Sequence, residues 1–238
     1  MDEIKHDPDD VKLWQDICVP DPRSGYKGDL IGLPQDFSVA IAKHHAQFNE
    51  LQLHSSVPKA TQIQFATAKN LCLYAWFVYR FYPVAEHQAL TCLEHALRSR
   101  FPDRLPKKYW NQYPGRGPTL HPLLRYAIDT GVLQNAGFRR WHASARLAAR
   151  QRVTLERLKE MDERELNEIS FDPDEAVPNS YDYDWDLLSV LKENLHKTRN
   201  AHAHGTTMLH NQVFGTLELV AEIVNQLFPE AAPKLSST

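Results

Sequence analysis

The segment from about residue 59 to residue 100 constrains the fold of this chain more than any other part. Apolar residues fall on nearly every side of a helical projection of its first half, which predicts a helix buried all round. These residues are Ile63, Phe65, Ala66, Leu71, Leu73, Tyr74, Trp76, Phe77, Val78, Phe81 and Tyr82. Proline cannot donate a helical hydrogen bond, so Pro83 is expected to break or kink this helix. A second helix is predicted by Leu90, Leu93, Ala96 and Leu97.

Further helices are predicted along the rest of the chain from apolar residues that recur every three or four positions. They cover residues 35–53, 120–132 and 139–169, a helix capped by Asp184, and a last helix capped by Thr206 or Thr207. Residues 1–35 are rich in Asp, Pro and Gly. They predict an arm with a short helix at 11–18, or alternatively a hairpin through 23–33.

Composition places the chain among globular proteins and limits its partners. The 238 residues carry a net charge of -3, so nucleic acid could be attracted only by a local basic patch. Three scattered cysteines predict free thiols in a reducing compartment. We expect no signal peptide, and no apolar run approaches the roughly 20 residues of a membrane span. The expected location is the cytoplasm.

A polar cluster at residues 195–205 stands between two strongly apolar segments. It contains an arginine, an asparagine and three histidines directly before Gly205. On a helix, Asn200 and His204 share a face, so the amide can orient the imidazole. An imidazole can move a proton near neutral pH, and the guanidinium of Arg199 can bind phosphate oxygens. The alternative is ordinary stabilisation of a helix C-terminus by cationic side chains.

The pattern Arg199-Asn200-x-x-x-His204-Gly resembles the signature of the HEPN superfamily, and residues 89–98 are similar to the A-x-x-x-L-E-x-A-L-R helix of many HEPN domains. The resemblance covers about residues 59–132 and 184–228. It implies an all-α, HEPN-like bundle of four to five helices and a metal-independent endoribonuclease without a cofactor. The implied catalytic residues are Arg199, Asn200 and His204, with Glu94 and His202 as auxiliary residues. Glu94 could instead be a surface glutamate.

The resemblance also fixes how the chain is divided. Residues 1–58 form the arm and first helix, which pack on the core. Residues 59–238 form the HEPN-like domain, with an insertion at about 139–183 that lies outside the resemblance. HEPN relatives commonly pair two motifs across a two-fold axis, so we expect a homodimer.

Basic and aromatic residues outside the motif are candidates for RNA contacts. They are Lys107, Lys108, Trp110, Arg139, Arg140, Arg146, Arg150 and Arg152. The first three could instead lie in a loop that covers the bundle. The arginines could instead belong to an amphipathic arm that is laid across the bundle or projects toward a second subunit. Residues 170–186 are strongly acidic and are expected to pair with the arginines.

The function predicted from these residues is RNA cleavage by attack of the ribose 2′-hydroxyl, which leaves a 2′,3′-cyclic phosphate. A toxin or defence role would add an antitoxin or regulatory protein as a partner. The alternative is a non-catalytic HEPN-like module that binds RNA or protein and keeps the motif as a buried polar plug. A metal site of His196, His202 and His204 is disfavoured, since the motif has no carboxylate or cysteine.

Overall fold

The regular structure of the chain is helical. The computed structural model describes residues 7–24, 37–102, 105–109, 117–203 and 209–230, and no strand occurs in these ranges. The α-helices are α1 (Phe37–Asn49), α2 (Lys59–Tyr74), α3 (Phe81–Arg100), α4 (Leu120–Asp129), α5 (Arg139–Glu163), α6 (Leu187–Ala203) and α7 (Phe214–Leu227). The all-α prediction is confirmed, while a specifically HEPN arrangement stays a prediction. None of the described helices combines the length and the apolar character needed to cross a membrane.

Helix α3 is the centre of the bundle. It packs against α2, α4, α6 and α7, so it has neighbours on most of its circumference. Its fully buried residues are mostly small or branched: Ala85, Ala89, Leu90, Cys92, Leu93, Ala96 and Leu97. Polar side chains on such a helix must therefore find partners within the protein.

Helix α2 is buried on one face only, and the prediction of all-round burial is wrong. Its buried positions, Thr61, Phe65, Ala68 and Cys72, recur every three or four residues. Ile63 and Tyr74 lie on the opposite side and are 57% and 62% exposed. The reason is position in the bundle: an outer helix buries one stripe, and single apolar residues on the surface are common.

The break predicted at Pro83 occurs earlier in the chain. Helix α2 ends at Tyr74, and α3 begins at Phe81. Pro83 is therefore the third residue of α3, where a backbone amide would have no helical partner. Proline is tolerated there, so it marks the start of a helix instead of its end.

The N-terminal arm is fastened to the turn between α2 and α3. The carboxylate of Asp21 is almost fully buried, accepts the backbone N–H of Tyr79 at 3.1 Å and binds Arg23 at 2.8 Å. Asp9 in turn binds Arg23 at 2.7 Å and Arg80 at 2.6 Å. Two carboxylates thus join the arm to the bundle.

Other features of the first 58 residues differ in detail from prediction. The short helix predicted at 11–18 is a single 3-10 turn, Trp14–Asp16. The alternative hairpin through 23–33 lies outside the described residues from residue 25 onward. After α1, Leu51 and Val57 enter the same hydrophobic core as α3, as does Phe48 within α1.

The long basic helix α5 ends at Glu163, before the predicted residue 169. Glu165 adopts a left-handed conformation with φ of 50°, and the N–H of Leu166 bonds back to the carbonyl of Met161 at 2.9 Å. A left-handed residue followed by such a bond is the usual way in which a chain leaves a helix. The sequence did not predict this helix end, because glycine and not glutamate usually occupies the left-handed position.

The acidic segment after α5 folds back on it as predicted. Arg150 binds Asp174 at 2.8 Å, and Arg152 binds Asp182 at 3.0 Å. Within this segment, two short 3-10 helices, Pro173–Glu175 and Ser180–Tyr183, contact α5. The expected pairing between the two charged segments is confirmed.

The three cysteines are free thiols, as predicted. Burial raises the pKa of Cys72 and of Cys92 to about 12, so both stay protonated at neutral pH. Both thiols serve as packing groups in the core.

Candidate functional site

Helix α6 carries the polar cluster of the sequence and begins two residues later than expected. Its cap is Asp186, whose Oδ1 accepts the backbone N–H of Ser189 at 3.2 Å. The prediction that Asp184 caps this helix is wrong, because Asp184 is the C-terminal cap of the preceding 3-10 helix, Ser180–Tyr183. Helix α7 likewise begins at Phe214, later than predicted, and its predicted caps Thr206 and Thr207 lie outside the described residues.

The buried stripe of α6 changes from apolar to polar along its length. Leu187, Leu191 and Leu195 are buried at a spacing of four. Arg199 and His202 follow at four and three, so they continue the same inward face. Two groups that bind phosphate or move protons are thereby turned toward the central helix.

Arg199 meets Glu94 of α3. Its Nη2 atom lies 3.4 Å from Oε2 of Glu94, and Arg98 donates to Oε1 of the same carboxylate at 2.6 Å. The Glu94 side chain is 11% exposed, against 31% for Arg199. The alternative of a surface glutamate is therefore wrong: Glu94 is a buried carboxylate that accepts a hydrogen bond from Arg98 and forms an ion pair with Arg199.

His202 meets Glu86, two turns before Glu94 on α3. Nε2 of His202 lies 2.8 Å from Oε2 of Glu86, and Nε2 of His210 lies 3.5 Å from the same oxygen. The hydroxyl of Thr216 donates to Oε1 of Glu86 at 2.6 Å. With side-chain exposures of 7% for His202 and 6% for Glu86, this pair is nearly closed to solvent, whereas His210 is 32% exposed. The contact brings the two groups together without a well-aligned hydrogen bond, since Oε2 of Glu86 and Nδ1 of His202 are buried and have no hydrogen-bond partner among the described residues.

His87 lies beside both pairs. Burial lowers its pKa, and the neighbouring charges of Arg199 and His202 lower it further. Its Nδ1 atom is buried and has no hydrogen-bond partner among the described residues. A neutral imidazole in this position can accept a proton, but it has little access to solvent.

Glu86, His87 and His210 are members of this cluster that sequence reasoning missed. A signal for the first existed: Glu86 and Glu94 lie eight residues apart on an otherwise apolar face of one helix. Such carboxylates must find partners when the helix is buried. Apart from Arg98, which lies one turn after Glu94, their partners lie more than a hundred residues away, and spacing along the chain cannot reveal such contacts.

The motif itself is only partly within the described residues. Asn200 is exposed on α6, on a different face from Arg199 and His202. His204, the predicted acid–base residue, lies outside the described residues. The structure brings Arg199, Glu94 and His202 to one interface, and it places Asn200 toward solvent.

The predicted RNA-binding arginines of α5 are mostly engaged in contacts within the chain. Arg139 binds Glu218 at 3.0 Å, and Arg140 donates to the carbonyl of Gly215 at 2.7 Å. Arg150 and Arg152 bind the acidic segment, whereas Arg146 is exposed. Lys107 and Lys108 are exposed in a 3-10 turn, and Trp110 lies outside the described residues.

The alternative metal site is not assembled in the described part of the chain. His202 points to Glu86, whereas His196 contacts His121 on another side of α6. No group of three or more His, Cys, Asp or Glu side chains in the described ranges is placed to hold a metal ion.

Comparison of the chain with protein-family models, with curated proteins and with solved structures finds no match.

Proposed function

We propose that this protein is a metal-independent endoribonuclease of the HEPN type. The observation that carries the proposal is the position of Arg199, which is anchored to Glu94 at the border between the core and solvent. A guanidinium has five N–H donors, and the contact with Glu94 is made through Nη2. The Arg199 side chain is 31% exposed, so a phosphate oxygen can reach part of the group while the carboxylate holds it in place.

In the proposed reaction, the ribose 2′-oxygen attacks the adjacent phosphorus. His204 removes the 2′-hydroxyl proton, or protonates the leaving 5′-oxygen from the partner copy of a homodimer. The new bond joins O2′ to phosphorus, and the bond from phosphorus to the 5′-oxygen breaks. Arg199 stabilises the added negative charge, and Asn200 fixes the imidazole or contacts the phosphate. The products are a 2′,3′-cyclic phosphate and a 5′-hydroxyl end.

Partners follow from this proposal. RNA is the substrate, and a two-fold dimer would bring two copies of Arg199 and His204 to one scissile phosphate. An antitoxin or another regulatory protein is expected if the enzyme acts as a toxin or in defence.

A second candidate is supported by the closed Glu86–His202 pair. These side chains lie 2.8 Å apart in a nearly solvent-free contact between α3 and α6, which is where a structural polar plug would lie. In that case the protein is a non-catalytic module that binds RNA or another protein, and its motif stabilises the bundle.

A cleavage assay on mixed RNA substrates separates the two candidates. Wild type is compared with His204→Ala and Arg199→Lys, with and without EDTA, and with His45→Ala as an exposed-histidine control on α1. The nuclease proposal requires that wild type and the control cleave RNA in EDTA and that both motif variants fail. Equal activity of His204→Ala and wild type, or complete inhibition by EDTA, would contradict the proposed nuclease mechanism and favour the non-catalytic module.

A further inference from the structure

A basic cleft separate from the buried cluster lies between α4 and α6. It has a volume of about 460 Å³ and is open to solvent. Its charged and titratable lining consists of His121, Arg125, Lys192, Glu193, His196 and Lys197. None of these residues belongs to the motif or to the arginines of α5.

The two histidines of the cleft are in direct contact. Their Nδ1 atoms lie 3.2 Å apart, and their ring centroids are separated by 4.2 Å. One Nδ1 must donate and the other accept, so the pair is satisfied while at least one ring is neutral. Burial lowers the pKa of His121, and the charges of His196 and Arg125 lower it further, which shows that the cleft disfavours additional positive charge.

The balance of charge in the cleft favours an anion. Arg125 and Lys192 are partly neutralised by Asp129, which lies 3.7 Å and 2.9 Å from them. Glu193 and Lys197 also line the cleft, and both are exposed. The carboxylate of Glu193 offsets one further positive charge. With three permanent cations against two carboxylates, the cleft carries an excess of positive charge, and each protonated imidazole increases it. A phosphate group would offset this excess.

The cleft leads to the motif. Lys192, His196 and Asn200 recur every four residues and share one face of α6. Asn200 therefore extends the cleft surface by one turn, about 6 Å along the helix axis. Arg199 precedes Asn200 in the chain and lies on the neighbouring face of α6, which is turned toward Glu94 of α3.

We propose that the α4–α6 cleft binds the phosphate backbone of the RNA strand and guides the strand to the motif. This inference rests on the proposed function and locates substrate binding away from the five predicted RNA-binding arginines of α5, four of which already have partners within the chain. Lys197 donates to phosphate oxygens, as does His196 through Nε2 when its ring is protonated, while His121 holds the His196 ring through their Nδ1 contact. An open cleft lined by imidazoles and flexible cations suits a strand with flexible backbone and exposed bases.

The test measures the binding of a 5′-fluorescent single-stranded RNA by anisotropy, in the His204→Ala background so that the RNA stays intact. The cleft variant carries His196→Gln with Lys197→Gln. The matched control carries His45→Gln with Lys159→Gln, which removes the same residue types from exposed positions on α1 and α5. We expect the cleft variant to bind about tenfold more weakly than the control. Since each phosphate contact on a single strand contributes about 0.7 to the slope of log K against log salt, its slope should also fall by about 0.7–1.4.

The possible results separate this inference from the proposed function. If wild type cleaves RNA and the cleft variant binds like the control, the cleft inference is overturned and the nuclease proposal stands. If RNA binds through the cleft but wild type does not cleave it, the nuclease proposal fails and the cleft remains. Absence of RNA binding by wild type would overturn both. Equal thermal unfolding midpoints for the two double variants exclude misfolding as the cause of weaker binding.

Discussion

Arg199 and Glu94 form the contact that joins the motif helix to the central helix, with 3.4 Å between Nη2 and Oε2. The carboxylate is also bound by Arg98 at 2.6 Å, one turn further along α3. One buried negative charge therefore holds two guanidinium groups. Its loss would leave both cations without their shared acceptor, so this contact is the most direct point at which to test stability and activity together.

Glu94→Gln should lower both the stability of the bundle and the proposed activity. A neutral amide cannot hold Arg199 as firmly, and hydrogen bonds to charged groups contribute about 1.5–3 kcal/mol. Partial exposure of the arginines reduces this, so we expect a loss of about 1–2 kcal/mol in the free energy of unfolding. Urea denaturation measures the loss, with Glu163→Gln as an exposed control on α5. Equal stability of the two variants would show that the pair does not hold the bundle together.

Replacing His202 and His204 separately should distinguish a structural imidazole from a catalytic one. His204→Ala removes the proposed acid–base group and should lower the cleavage rate by about 10²–10⁴. His202→Ala should have a smaller effect on rate but a larger effect on stability, because it removes the buried partner of Oε2 of Glu86. Single-turnover cleavage and thermal unfolding are measured on both variants. If His202→Ala abolishes cleavage and leaves the unfolding midpoint unchanged, the catalytic role belongs to His202.

The apolar pattern predicts the helices of this chain well because burial of one stripe is a local property of a helix. The inward residues Leu187, Leu191 and Leu195 follow that rule, and α6 lies where they place it. The same pattern could not show which sides of α2 are covered. Ile63 and Tyr74 are apolar yet exposed, since the neighbours of a helix are set by the whole bundle.

The candidate site was less accessible to sequence reasoning, because its contacts join distant parts of the chain. Arg199 and Glu94 could be selected individually, but the distance between them depends on how α6 packs against α3. Glu86 and Thr216 carry no recognisable pattern, and their hydrogen bond spans 130 residues. Buried polar pairs of this kind follow from the packing of helices and cannot be read from residue spacing.

The active protein should be a homodimer. One arginine and one histidine are few groups for phosphodiester cleavage, and a two-fold axis would supply two of each. Light scattering at micromolar concentration should give twice the mass of the chain. Mixing inactive Arg199→Lys with inactive His204→Ala should restore part of the activity if the two copies share a site. A monomeric mass in an active preparation would exclude the shared site.

RNA binding in the α4–α6 cleft should strengthen as the pH falls from about 7.5 to 5.5. The pKa of His121 is lowered below its ordinary value of 6.5 by burial and by neighbouring cations, so its ring is neutral at pH 7.5. Bound phosphate stabilises the protonated ring, and affinity must therefore rise as the ring takes up its proton. The other described charged and titratable groups near it are Arg125, Asp129, Lys192, Glu193, His196 and Lys197. Anisotropy at several pH values should show this rise in wild type, and a much smaller one in His121→Gln with His196→Gln.

The N-terminal arm should contribute stability that is lost in acid between about pH 4 and pH 2. Hydrogen bonds from Arg80 and then Arg23 lower the pKa of Asp9 from 3.8 to about 2. The pKa of Asp21 is also lowered, because hydrogen bonds from Arg23 and Tyr79 outweigh the opposing effect of burial. A carboxylate with a lowered folded-state pKa stabilises the fold above its unfolded value, and that contribution disappears as both states become protonated.

Comparison of Asp21→Asn with wild type tests the contribution of the arm directly. The variant should unfold at a lower temperature than wild type at pH 5, because it loses the ion pair with Arg23. The difference between the two midpoints should shrink as the pH falls through the lowered pKa of Asp21, because wild type then loses the same charge. Asp10→Asn, at an exposed position in the same arm, should match wild type throughout. A difference that stays constant from pH 5 to pH 2 would mean that Asp21 stabilises the arm through packing and not through its charge.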